Sequence, residues 1–132
     1  MFTGSVSLRF YHPTQDLNFL TSMLGLPCLN SWLAGAPRKT LTGDPLPGVY
    51  RQSFWTSSQD FSIKKGFIGP VMQFVDKLIH SKKNVENIIK SGGRSTIYIQ
   101  LSGSKNNGCT IKSETLKTLG ELGVDLEIEV FP

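Results

Sequence analysis

A chain of 132 residues, 39% hydrophobic and 18% charged, is one domain's worth of sequence with enough apolar content to bury a core without disulfides or metals. Its net charge of +4 is spread over separate pairs, Arg38-Lys39, Lys64-Lys65 and Lys82-Lys83, which argues against nucleic acid as a partner, because such binders concentrate their cations in a stripe with interleaved aromatics. No apolar run approaches the roughly 20 residues of a membrane span, and Met1-Phe2-Thr3-Gly4-Ser5 lacks the basic start and apolar stretch of a signal peptide, so a cytoplasmic setting with Cys28 and Cys109 as reduced thiols is expected.

From Ser5 to Tyr11 the chain alternates. Val6, Leu8 and Phe10 share one side, and Ser5, Ser7, Arg9 and Tyr11 share the other, which reads as a half-buried strand. His12-Pro13 ends it. Thr14 is a candidate cap for a helix that buries Leu17, Leu20 and Leu24 and stops at Gly25. Leu26 to Pro47 is rich in proline and glycine and reads as loops, with a short strand around Ser31 to Leu33. Val49 to Ser57 reads as a strand with large residues on both sides.

The clearest helix follows, with Val71, Phe74, Val75, Leu78 and Ile79 at the spacing of one helical face and Pro70 in its first turn. Ser81-Lys82-Lys83 interrupts the stripe and Val85, Ile88 and Ile89 resume it, so two short helices or one bent helix are expected, with Asn84 as a candidate cap and Gly92-Gly93 as the stop. Arg94 to Ser102 is a strand with Ile97, Ile99 and Leu101 inward and Thr96, Tyr98 and Gln100 outward. A polar loop, Gly103 to Gly108, comes next. Ser113 is the expected cap of a last helix facing inward through Leu116, Leu119 and Leu122, and Gly123 leads into a strand where Val124, Leu126, Ile128 and Val130 alternate with Asp125, Glu127 and Glu129.

Strands that alternate apolar and polar belong to sheets covered on one side only. The expected fold is therefore α+β, a single domain over residues 1–132. It is a two-layer sandwich whose four- or five-stranded sheet, mostly antiparallel or mixed, carries its helices on one face.

No catalytic constellation stands out, and no metal or cofactor is expected. His80 lies one turn after Asp76, but a metal site needs at least one more ligand, and an exposed ion pair is the plainer reading. Neither cysteine is tied to a histidine by sequence, and buried inert thiols are the common case. Ser91-Gly92-Gly93-Arg94 lacks the lysine and hydroxyl residue of a phosphate loop and reads as a helix stop.

Asp125, Glu127 and Glu129 project from one side of a strand roughly 7 Å apart. Such a row is an exposed acidic stripe or a docking surface for a basic partner. Trp32 and Trp55 are candidate interface anchors, weighed against ordinary places in the core, and Tyr98 on the outer row of its strand joins the candidates.

The layout resembles a bacterial family of small proteins known as domain of unknown function 4279. The resemblance runs through the early strand and helix, Ser31-Trp32 with Gly35 and Pro37-Arg38, Trp55 on the middle strand, the broken helix ending in Gly92-Gly93, and the strand Ser95 to Leu101. It is closest from Leu116 to Leu119 and through Leu122-Gly123-Val124-Asp125-Leu126-Glu127-Ile128. It implies a fold and a bacterial cytoplasmic setting, and no catalytic residues. Proteins of this type look similar in style to immunity proteins, so the expected function is a non-catalytic protein-binding module that blocks a cognate toxin, with a basic effector domain as the partner. The alternative is a small-ligand-binding or regulatory domain using the Leu26 to Pro47 region, and an enzyme with an unrecognised site is the third reading.

Overall fold

The computed structural model describes residues 3–62, 64–102 and 108–131. The chain runs through β1 (Thr3–His12), α1 (Leu20–Leu24), β2 (Asn30–Trp32), β3 (Pro37–Lys39), β4 (Pro45–Val49), β5 (Ser53–Ser62), α2 (Ile68–His80), α3 (Lys82–Lys90), β6 (Arg94–Ser102), α4 (Ser113–Leu122) and β7 (Val124–Phe131). Five strands form one sheet in the order β2-β5-β1-β6-β7, and β3 with β4 forms a separate hairpin. The central strand β1 is antiparallel to both neighbours, with Leu8 opposite Ser57 on β5 and Ile97 on β6. Only β7 runs parallel to its neighbour, because α4 carries the chain back across the sheet before it pairs with β6. The architecture is α+β, as the alternating strands implied.

Alternation sets the two faces. Val6, Leu8, Phe10, Trp55, Ile97 and Ile99 are fully buried on one side, where they meet Leu20, Val71, Phe74, Leu78, Val85, Ile88 and Leu122 of the four helices in a single apolar cluster. Each side chain so buried contributes about 1.5–3 kcal/mol to stability. Gly4 faces this layer opposite Phe61, and a Cβ there would lie 2.5 Å from the ring, so only glycine lets the ring close the end of the sheet. Gly123, at φ 74°, turns the end of α4 directly into β7.

Several local expectations are corrected. The strand expected over Val49 to Ser57 is divided, because the Tyr50 N–H donates to the Ala36 carbonyl (3.0 Å) and its carbonyl accepts from the Gly35 N–H (2.8 Å). Those bonds tie residue 50 to the β3–β4 hairpin, and the chain joins the main sheet only at Ser53. Thr14 is not a cap. The His12 ring accepts the N–H groups of Thr14 (3.1 Å) and Gln15 (2.8 Å) at Nδ1, and α1 starts only at Leu20. With Nδ1 an acceptor, Nε2 carries the proton and donates to Ser91 Oγ at 2.9 Å, joining the end of β1 to the end of α3.

The broken helix divides at Ser81, three residues before Asn84, and Lys112 precedes α4, with Ser113 already helical. Leu116 is exposed where an inward position was expected. Steps of three residues drift by about 60° around a helix, so a face centred on Leu119 and Leu122 leaves Leu116 behind. The cysteines are both free and exposed, not buried. The loop expected from Gly103 lies, through Asn107, outside the described residues.

Candidate functional site

Among the described residues all four helices pack on the inner side of the sheet and the outer face carries no helix. Its residues come from alternate positions of every strand. At one edge Asp125, Glu127 and Glu129 of β7 are exposed, in register with Thr96, Tyr98 and Gln100 of β6. Tyr98 is buried beneath its neighbours. Its hydroxyl donates to the Glu129 carboxylate, and the Arg9 guanidinium lies 4.0 Å above its ring. The bond to Glu129 holds the Tyr98 hydroxyl above the ordinary tyrosine range, because ionisation would place an anion against a carboxylate. Burial and the charges of Glu129 and Glu127 act the same way, and Arg9 opposes them.

Glu129 is thus engaged within the face, whereas Asp125 and Glu127 form no ion pair with another described residue. The strand that carries them has one free edge among the described residues. On its inner side Ile128 and Val130 remain 52% and 67% exposed.

Across one end of the face a ladder of flat groups crosses four strands. The Arg94 guanidinium sits 4.2 Å from the centre of the Tyr11 ring, Tyr11 leans on Phe54 at 5.1 Å, Phe54 stacks on Trp32 at 4.5 Å, and Trp32 stacks on Tyr50 at 4.5 Å with planes 10° apart. This ladder explains the two-sided strand of the sequence, since Phe54 belongs to the outer face and Trp55 to the core. Of the two tryptophans only Trp32 reaches the outer face, where it is half-buried. Trp55 is fully buried, donates its Nε1–H to Thr21 Oγ1 at 3.0 Å, and is corrected from interface anchor to core anchor.

Trp32 and the acidic strand lie at opposite edges of the sheet, about 19 Å apart by strand spacing. The structure therefore brings Tyr98 together with the β7 carboxylates and leaves Trp32 apart from them. Sequence reasoning missed Arg9, Tyr11, Phe54 and Arg94; the signal available was their common alternation with apolar core residues, which placed them on one face without showing that they touch.

The hydroxyl that lies beside a histidine among the described residues, Ser91, accepts from the ring and so meets no free base. Both ring nitrogens of His12 are spent on the backbone turn and on Ser91. His80 is exposed at the end of α2 with Asp76, at 3.7 Å. Among the described residues no three His, Cys, Asp or Glu side chains come together, and no helix is long and apolar enough to cross a membrane.

Residues 2–131 match the family described as Domain of unknown function (DUF4279). The chain belongs to that family. No curated protein and no solved structure matches this DUF4279 chain. Its matched span contains the whole outer face, from β1 to β7.

Proposed function

We propose that this DUF4279 chain is a non-catalytic protein-binding module that docks a basic partner on the β7 edge of its helix-free sheet face. The specific form of the proposal is an immunity-type protein whose partner is a cognate toxin, blocked by occlusion of its active site. The observation that carries it is the pair of unpaired, exposed carboxylates, Asp125 and Glu127, on a free sheet edge whose inner side presents exposed Ile128 and Val130. Carboxylates attract and orient a basic surface, apolar neighbours supply the area to bury, and an open edge offers main-chain hydrogen bonds. The chain's net positive charge does not oppose this, because charges beyond about 8 Å are largely screened at physiological salt.

The test is kinetic. A partner recovered from host lysate and identified by mass spectrometry is assayed for association with the native chain and with the double variant Asp125→Lys/Glu127→Lys, which keeps the Tyr98–Glu129 bond. Association slowed by about tenfold or more at low salt, with its salt dependence inverted, is expected. Equal rates and equal salt dependence would remove this face from the proposal. A second reading, small-ligand binding by the Leu26 to Pro47 region, is favoured by one observation, a cleft of about 670 Å³ between β2 and the hairpin.

A further inference from the structure

The cleft lies at the sheet edge opposite the acidic strand, and its chemistry is more specific than its shape. Trp32 and Tyr50 form an aromatic wall, Arg38 and Lys39 come from the hairpin, and Asn30 and Thr40 complete the polar lining. A volume of about 670 Å³ falls within the range of small-molecule sites.

The unpaired charge left over in this lining is one-sided. Trp32 spends its indole N–H on the Gln52 carbonyl at 3.0 Å. The Tyr50 hydroxyl is held by the main chain of Lys39, accepting from its N–H and donating to its carbonyl, both at 3.2 Å. Arg38 gives one N–H to the Pro47 carbonyl at 3.3 Å and keeps its other donors. The Lys39 ammonium and the Asn30 amide have no hydrogen-bond partner among the described residues, and neither Arg38 nor Lys39 forms an ion pair there. Among the described residues no carboxylate lines the cleft. The nearby Asp44 accepts from Thr42 on the hairpin turn.

We infer that this cleft binds a small organic anion, a carboxylate or phosphate ester carrying a flat ring, with the anionic group on Arg38 and Lys39 and the ring against the Tyr50 end of the Tyr50–Trp32 stack. Arginine suits either anion because its planar fork matches two acceptor oxygens at once, and lysine adds a point charge. Tyr50 makes the site rigid on its aromatic side, since the same side chain pins the hairpin and stacks on Trp32. The site is independent of partner docking at β7, so either can fail without the other.

Trp32 and Trp55 supply the readout. In a proton–nitrogen NMR spectrum the Trp32 indole signal reports the cleft, and the Trp55 signal, from the buried core, serves as the internal control. The full chain is titrated with AMP, benzoate, inorganic phosphate and neutral adenosine. Saturable shifts of Trp32 with AMP or benzoate and an unmoved Trp55 are expected, AMP alone assigning the anion as phosphate and benzoate alone as carboxylate. Competition of inorganic phosphate against AMP supports the same anion contact. The surface variant Arg38→Gln/Lys39→Gln is expected to weaken binding at least about tenfold with its spectrum otherwise native. Adenosine binding as tightly as AMP, no saturable shift with either anion, or undiminished binding by the variant would overturn the inference.

Discussion

Tyr98 shows how one side chain records the state of the face around it. Its hydroxyl donates to Glu129, so its proton is retained beyond the ordinary range even though the Arg9 guanidinium over its ring acts the other way. In the unfolded chain that environment is absent, and the tyrosine titrates near its usual value of about 10. A folded-state pKa raised above the unfolded one gives stability that is fully present below the unfolded value and is lost as pH rises through the folded one. The expected outcome is a tyrosine component in the ultraviolet titration that ionises later than in the denatured chain and is absent from Tyr98→Phe. A native titration that superimposes on that of Tyr98→Phe, after allowance for one fewer tyrosine, would refute the bond to Glu129. Residue identity made Tyr98 legible as an outer-row residue. Its contact with Glu129, two positions along the neighbouring strand from its register partner Glu127, required the register of β6 on β7.

At the scale of elements, β7 combines two roles that pull against each other. An eight-residue free edge is a template for pairing with another chain, and exposed Ile128 and Val130 make it a sticky one. The acidic row controls that hazard. A symmetric antiparallel pairing of two β7 edges that continues the sheet sets acid opposite acid, which is unfavourable for each like-charge pair. The neutral variant Asp125→Asn/Glu127→Gln/Glu129→Gln is therefore expected to self-associate with rising concentration in sedimentation velocity, while the native chain does not. A neutral variant that stays monomeric would show that charge is not what guards this edge. Regular elements with strong periodicity, such as β1, α2 and β6, were legible because most of their apolar positions answer to one core; Ile79, expected on that face of α2, is exposed near the helix end instead. The β3–β4 hairpin was not, since its residues are exposed and its geometry comes from main-chain bonds to Tyr50 and from that hydroxyl's hold on Lys39. The same limit explains why Arg38 and Lys39 read as an ordinary basic pair until the fold set them beside Trp32.

For the whole molecule, the strand order arranges rigidity and exposure in opposite senses. β1 is bonded on both sides and buries Val6, Leu8 and Phe10 completely, so its amide protons are released to solvent only when the entire chain opens. β2 and β7 have one neighbour each, and the hairpin stands outside the sheet. Amide exchange is expected to be slowest at Val6 to Phe10 and faster by orders of magnitude in the hairpin and the distal half of β7. Uniform protection from the centre to both edges would contradict that ordering. Both candidate surfaces then sit where the protein opens most readily, one on each side of a slow centre. A bound partner or anion would be visible as slowed exchange confined to its own edge, and the time each edge spends closed becomes a quantity that occupancy can set without any change in the middle of the sheet.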